Sequence, residues 1–198
     1  LTKRFRHATI RTMNEEKMVN DYSDIAQLAE HYRKAGKKII LTQGSFDMLH
    51  IGHGRYLTTA KTYGDVLFVG IDSDEKIKKR KGPDRPIVPE TERLEMVTYI
   101  TAVDHAIIKN LTEPKWELIR LISPNVLITT KETYSKVQLT KLKKICGEVV
   151  VLDPMATTST SAKLRLVQLG MAKKISKTLS HKVISAMEEI LEELKSHH

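Results

Sequence analysis

From Lys37 onward, short apolar runs alternate with stretches of helical periodicity, the pattern of successive βαβ units wound around a parallel sheet. Five runs read as strands: Lys38–Thr42, Val66–Ile71, His105–Ile108, Val126–Thr129 and Val149–Leu152. Each is rich in Val, Ile or Leu, as strands covered on both faces are. Helices are predicted near Gly52–Thr62, Glu90–Ile100, Pro114–Ile122 and Gln138–Cys146. Ahead of the first strand, Asp21–Lys34 carries Ile25, Leu28, Ala29 and Tyr32 on one stripe and stops at Gly36. After the last, Ser161–Leu169 and Ser180–Leu194 read as two more helices, the second with Val183, Ile184, Met187, Ile190, Leu191 and Leu194 on one face. So apolar a stripe packs on the domain or on a second copy of the chain. The expected organisation is an arm and helix over residues 1–36, a doubly wound α/β domain over 37–170 with a parallel five-stranded sheet, and a helical extension over 171–198.

The length of 198 residues fits one such domain with an appendage. With 40% hydrophobic and 29% charged residues the chain is not disordered or collagen-like, and no apolar run reaches bilayer-spanning length. Its basic opening lacks the apolar stretch of a secretory signal, its start at Leu1 suggests a processed or trimmed end, and His197 and His198 read as foreign residues. The single cysteine, Cys146, can form neither an internal disulfide nor a thiolate zinc site, and reads as a small core residue in a reducing cytoplasm.

The formal charge of +9 calls for an anionic partner. Its densest cluster comprises Lys76, Lys78, Lys79, Arg80, Lys81 and Arg85, opposed by Asp84, and a second comprises Lys173, Lys174, Lys177 and Lys182. Aromatic residues are only 5% of the chain and none interleaves the first cluster, so the stacking platforms of a nucleic-acid binder are missing there. A compact polyphosphate suits the cluster, because lysine binds phosphate as a point charge.

The most informative stretch is Gly44-Ser45-Phe46-Asp47-Met48-Leu49-His50-Ile51-Gly52-His53, directly after the first predicted long strand and opening the crossover helix. Open parallel sheets bind ligands at the carboxyl ends of their strands, and a helix N-terminus there offers amide groups and partial positive charge to an anion. Gly44 and Gly52 leave room for backbone to approach a phosphate. His50 and His53, three residues apart, can project to one side and donate to the same group, or can be unrelated surface histidines beside a cap. Two donors on one phosphoryl centre suit phosphoryl or nucleotidyl transfer.

This run resembles the HxGH motif of the cytidylyltransferase-like nucleotidyltransferases, and the likeness continues through Tyr56-Leu57, Ala60-Lys61 and Gly64-Asp65. Gly70 through Asp74, and Lys81 through Ile87 with Glu90, Arg93, Val103 and Asp104, look most like the adenylyltransferase domain of bacterial ADP-heptose synthesis. The resemblance spans roughly Lys38 to Leu169. It implies a Rossmann-like domain that uses magnesium to join a nucleoside triphosphate, ATP before CTP, to a phosphorylated small molecule such as heptose-1-phosphate, with release of pyrophosphate. It places His50 and His53 at the transferring phosphoryl group and Lys81 and Arg93 on phosphates. Gly44, Ser45, Phe46, Gly52 and His53, with the Thr158-Ser159-Thr160-Ser161 turn and Lys163, would hold the nucleotide, and Asp47, Lys79 and Tyr134 would face the acceptor or its surroundings. The hydroxyl run also reads as a plain helix cap, the lysine run as a solvated face, and Asp47 either as orienting its loop through backbone N–H groups or as helping to place magnesium. Glycerol-3-phosphate and ethanolamine-phosphate cytidylyltransferases and archaeal FAD synthetases share most of these features, so the acceptor stays open.

The chemistry agrees with such a reaction. A phosphate monoester, with a second pKa near 6, is already largely a dianion at neutral pH and needs no general base. What remains is to offset repulsion between two anions and to align them, which His, Lys, Arg and magnesium do. The chain departs from the pattern after the fourth strand, where Thr129-Thr130-Lys131-Glu132-Thr133-Tyr134 replaces a Lys-Gly-Gly-Asp-Tyr or Gly-Asp-Asp-Trp type segment and only Tyr134 survives. Ser45 likewise stands where a Cys or Thr is usual.

Class I aminoacyl-tRNA synthetases also carry a HIGH motif, and Lys174-Ile175-Ser176-Lys177-Thr178 imitates their lysine loop, but 198 residues leave no room for their tRNA-binding modules. A silent nucleotide sensor or a basic nucleic-acid binder on the same fold is the reading from another class, and the intact His50 and His53 argue against silence. The expected partners are thus the triphosphate and a phosphorylated metabolite, without membrane or nucleic acid, with a homodimer open through the terminal stripe.

Overall fold

The structure, a computed structural model, describes residues 14–155 and 160–196. Six parallel strands, β1 (Met18–Val19), β2 (Ile39–Gly44), β3 (Val66–Asp72), β4 (His105–Lys109), β5 (Val126–Thr130) and β6 (Glu148–Leu152), lie in the order β1-β4-β3-β2-β5-β6. Six helices accompany them: α1 (Tyr22–Lys34), α2 (Ile51–Lys61), α3 (Asp74–Lys81), α4 (Glu90–Thr98), α5 (Glu117–Ile122) and α6 (Lys136–Leu142). From β2 the chain steps outward through β3 to β4, then crosses back to β5 and β6 on the other side. That reversal makes the carboxyl ends of β2 and β5 a topological switch point, where an open α/β sheet has its crevice.

Alternation along the strands supplies both faces. Ile40, Leu67, Val69, Val126 and Ile128 pack under Tyr56, Leu57 and Ala60 of α2 and Leu94 and Val97 of α4. Ile39, Leu41, Phe68 and Leu127 pack under Ile25 and Ala29 of α1 and Leu118, Ile119 and Ile122 of α5. This two-sided burial is why the strand sequences are almost continuously apolar. Cys146 belongs to the second layer, where burial pushes its thiol up to about 11, as befits an inert core residue.

Two expectations need correction, and one helix lies outside them. The sheet has six strands, since Met18–Val19 adds an edge by pairing with Ala106 and Ile107 of β4. Two residues carry no readable periodicity. The basic run is the helix α3, whose strongly polar sequence buries only Ile77, and Ser73 caps it by accepting the Lys76 N–H at 3.3 Å. Finally, the two C-terminal helices are one, α7 (Thr160–Ser196), which runs through Gly170 without a break. A glycine inside a helix costs only about 1 kcal/mol, too little to stop a long one. The chain forms two compact units, Leu1–Thr157 and Thr158–His198, and among the described residues no helix is long and apolar enough to cross a membrane.

At the amino end of β4, His105 is buried against Phe68 at a ring separation of 5.1 Å and its Nε2 meets the Tyr32 hydroxyl at 3.0 Å. Its Nδ1 has no partner among the described residues. Burial pushes the imidazole below its ordinary value; Asp104 opposes this, and Lys17 and Lys61 reinforce it. The unfolded chain therefore binds this proton more readily than the folded one, so stability falls as pH drops below about 6.5. Thermal melts across that range should show the loss in the wild type and a flatter profile in His105→Gln, and equal slopes would remove His105 as the cause.

Candidate active site

The loop after β2 carries two bulky residues in the left-handed region, Phe46 at φ 48° and Met48 at φ 49°. Backbone so strained persists only where its surroundings hold it. Asp47, between them, is buried, accepts the amide hydrogens of Ile87 at 3.1 Å and Val88 at 3.0 Å, and pairs with Arg85 at 2.7 Å. Asp47 thus ties its loop to the backbone N–H groups of the 87–88 segment. Arg93 completes the frame. It is 1% exposed, and its guanidinium donates to the carbonyls of Val88 (2.9 Å), Ser45 (2.6 Å) and Asp72 (2.8 Å) and to the Asp74 carboxylate (2.7 Å). Arg93 therefore departs from the expected phosphate contact: each of its three nitrogens is directed at a protein acceptor, joining the ends of β2 and β3 to the 85–88 segment.

His50 and His53 open α2 with their rings 4.1 Å apart. His50 Nδ1 accepts the Gly52 N–H at 3.1 Å, and His53 Nδ1 accepts the His50 N–H at 3.3 Å. A nitrogen that accepts carries no proton, so in each neutral ring the proton sits on Nε2. The cap thus fixes both tautomers with the distal nitrogen as donor. It also narrows an expectation, because the Gly52 amide is taken by His50 and is no open amide for an anion. Phe46 is buried with its ring 5.6 Å from that of His53, and the lack of a side chain at Gly44 makes room for that ring, which an added Cβ would meet at 3.1 Å.

Beside this pair stands a cluster that motif reading did not bring out. Asp72, at the carboxyl end of β3, is buried and held by Lys109 at 3.0 Å and Arg80 at 2.9 Å, and Arg80 also donates to the Ser45 hydroxyl at 2.8 Å. Burial alone would raise the Asp72 carboxyl, but Lys109 and Arg80 outweigh it and hold the group below its ordinary value. Arg80 rather than Lys79 reaches this cluster; Lys79 lies exposed on α3, one helical step around. Lys81 ends α3 at Gly82, whose φ of 97° turns the chain into the 83–86 segment. Burial pushes the Lys81 ammonium down, and Arg80 and Arg85 add to this against Asp47 and Asp72. Mutual repulsion among these cations is relieved by a bound anion. Two buried donors, Gln43 Nε2 at the end of β2 and Arg85 Nε, have no partner among the described residues. Tyr134, in the turn after β5, packs into the second core layer, and burial with the nearby Asp72 raises its hydroxyl.

Thr158 and Ser159 lie outside the described residues. Thr160 and Ser161 form the first turn of α7, with their side chains, like that of Lys163, outside the description. Among the described residues no group of three His, Cys, Asp or Glu side chains could hold a metal ion, and the site carboxylates Asp47 and Asp72 are engaged by cations. A magnesium ion bound with a nucleotide would be held chiefly by its phosphates and would help to neutralise their charge.

A doubly wound parallel sheet whose switch-point crevice carries two fixed imidazole donors amid Arg80, Lys81, Arg85 and Lys109 is the framework of a nucleotidyltransferase. The comparison with known proteins agrees: the family model described as cytidylyltransferase-like matches residues 41–194, and the chain belongs to that family. Bifunctional protein HldE of a Nitratiruptor species is 36% identical over 154 residues, covering 78% of this chain and 33% of that protein. HldE of Sulfurimonas denitrificans is 31% identical over 159 residues, covering 80% and 33%. The chain thus spans about a third of the length of these relatives. A lipopolysaccharide core biosynthesis protein from Thermoplasma volcanium has a similar fold, with a TM-score of 0.54 at 24% identity over 60% of this chain and 98% of that one. So does pantoate-beta-alanine ligase from Francisella tularensis, with a TM-score of 0.51 at 16% identity over 68% of this chain and 66% of that one.

Proposed function

We propose that the chain transfers a nucleoside monophosphate, from ATP in preference to CTP, to a sugar phosphate of the heptose-1-phosphate type, releasing pyrophosphate. The observation that carries the reaction is the pair of capping contacts in which Nδ1 of His50 accepts from the Gly52 N–H and Nδ1 of His53 from the His50 N–H, which leaves the proton of each neutral ring on Nε2. In this reaction an oxygen of the acceptor phosphate forms a bond to the α-phosphorus, the bond from that phosphorus to the bridging oxygen of the β-phosphate breaks, and the electron pair leaves with pyrophosphate. The acceptor is already a dianion, so no proton has to be removed. Charge gathers on the non-bridging oxygens of the α-phosphoryl group, where two preorganised N–H donors stabilise it. Magnesium entering with the triphosphate supplies further neutralisation of its phosphates. Lys81 and Arg85 draw the anions in, Arg80 and Lys109 are held ready by Asp72, and Arg93 and Asp47 fix the loops that carry the donors. Gln43 Nε2 and Arg85 Nε, without a partner among the described residues, are donors for a phosphate or sugar oxygen. Similarity to the HldE proteins supports the sugar phosphate, and the dependence on soluble phosphates suits the cytoplasm.

The test is pyrophosphate release with magnesium, crossing ATP and CTP against heptose-1-phosphate, glycerol-3-phosphate, ethanolamine phosphate and FMN. Turnover of ATP with heptose-1-phosphate is expected; turnover confined to another pair overturns the substrate, and saturable triphosphate binding without turnover in any pair points to a sensor. In the same assay Lys81→Ala should raise the apparent KM for the triphosphate by about tenfold with a smaller change in kcat, as loss of ground-state binding does. An unchanged KM would return the α3 lysines to a solvated face.

A further inference from the structure

Strand alternation sends Thr42 toward α2, where its hydroxyl meets that of Tyr56 at 2.7 Å, and sends Gln43 to the opposite face of β2. Gly70, the register partner of Gln43 on β3, forms the floor there. A Cβ at Gly70 would meet Leu118 Cδ2 of α5 at 2.6 Å, Lys109 Cδ at 2.7 Å and Gln43 Cγ at 3.2 Å. The glycine thus lets the stems of Gln43 and Lys109 meet over β3. Nε2 of Gln43 is buried without a partner among the described residues, and a donor left so costs stability until a ligand takes it up. The side chain as a whole is half-buried, and the terminal torsion of a glutamine is soft, so the amide can turn into the crevice without moving the strand. The charges around it are unequal. Asp72 faces two cations, Lys109 at 3.0 Å and Arg80 at 2.9 Å, and Glu117 of α5 is spent on Arg120 at 3.2 Å. A group beside Gln43 therefore meets a net positive field, which repels an ammonium.

We propose that Gln43 reads the end of the acceptor remote from its phosphate: the amide hydrogen-bonds a hydroxyl group, so the protein takes polyol phosphates and rejects amino-alcohol phosphates. This rests on the transfer reading above and narrows it. A hydroxyl both donates and accepts, as a carboxamide does, so the two pair without bringing a further charge into a half-buried place. An ammonium there would have to compete with Lys109 and Arg80 for the single Asp72 carboxylate. Gln43 belongs neither to the cap that opens α2 nor to the cations of α3 and the 83–86 segment, and this separates hydroxyl recognition from phosphate recognition.

Calorimetric titration of the 198-residue chain, with magnesium and a non-hydrolysable ATP analogue present, tests this with heptose-1-phosphate, glycerol-3-phosphate, ethanolamine phosphate and inorganic phosphate as probes. The wild type should hold the two polyol phosphates about tenfold or more tighter than the other two. Gln43→Leu should abolish that margin, leave the affinity for the ATP analogue as it was, and melt about 2–4 °C higher, since an unpaired buried donor is gone. Gln43→Glu should turn the preference toward ethanolamine phosphate, because the added carboxylate offsets the excess of cations. A residue that only packs would instead weaken every probe and melt lower when replaced. A wild type that binds ethanolamine phosphate as tightly as heptose-1-phosphate, or no acceptor more tightly than inorganic phosphate, overturns the proposal. So does a Gln43→Leu variant that keeps the margin. Pyrophosphate release separates this from the reaction. Transfer to heptose-1-phosphate that Gln43→Leu does not impair removes the hydroxyl subsite and leaves the reaction, whereas a wild type that discriminates in binding but transfers nothing removes the reaction and leaves the subsite.

Discussion

His53→Asn is expected to lower turnover by about 10²-fold or more with little change in KM, while the protein melts near the wild-type temperature. The two nitrogens of the ring do different work. Nδ1 accepts the His50 N–H and so helps close the first turn of α2, and Nε2 carries the proton of the neutral ring, the one that the proposed reaction directs at the transferring phosphoryl group. An asparagine carbonyl can take the place of Nδ1 but brings nothing to the position of Nε2, so the cap survives and the distal donor does not. Glutamine does the reverse: its amide reaches the distal position and gives up the local acceptor. His53→Gln should therefore keep more turnover than His53→Asn but melt lower, by the worth of one helix cap, about 1 kcal/mol. Alanine, lacking both, should combine the two losses. Rate and melting temperature measured on all three variants separate catalysis from capping, and equal rates in the asparagine and wild-type proteins would remove His53 from the chemistry.

Much of this was readable in the sequence for a physical reason. The central strands are covered on both faces, so their apolar runs carry a signal, and the two histidines sit in a contiguous motif at a strand-to-helix turn. What could not be read depends on distance in the chain. The two-residue edge strand exists only because β4 offers Ala106 and Ile107 to pair with. The α3 helix is too polar to display a period and shows only one buried residue, Ile77. The helices expected at Ser161–Leu169 and Ser180–Leu194 are one, because the propensity penalty of Gly170 is outweighed by the neighbouring turns. In the site, the family resemblance puts Arg93 on a phosphate, yet says nothing of the carbonyls of Ser45, Asp72 and Val88 that converge on it, because backbone acceptors leave no trace in residue identity. The same holds for Asp72, Arg80 and Lys109, which the parallel register of β3 and β4 brings together from separate segments.

Arg93→Ala is expected to destabilise the protein by about 3–5 kcal/mol, the largest effect on stability of any substitution considered. The guanidinium is buried, and its removal strands the Asp74 carboxylate and three carbonyls that now accept from it. Lysine should not rescue it. A single ammonium has neither the planar fork nor the reach to serve the Ser45, Asp72 and Val88 carbonyls at once, so Arg93→Lys should recover only a minor part of the melting temperature. The Ser45 carbonyl immediately precedes Phe46, whose backbone is held at φ 48°, so releasing it lets the strained loop relax and moves the cap formed by His50 and His53. Turnover should accordingly fall in Arg93→Lys even at temperatures where the variant is fully folded, with the loss mainly in kcat rather than in KM for the triphosphate. A direct phosphate contact predicts the opposite division, a raised KM with stability near wild type. Melting temperature and the kcat-to-KM split in Arg93→Lys therefore decide between a residue that positions the donors and one that binds the nucleotide.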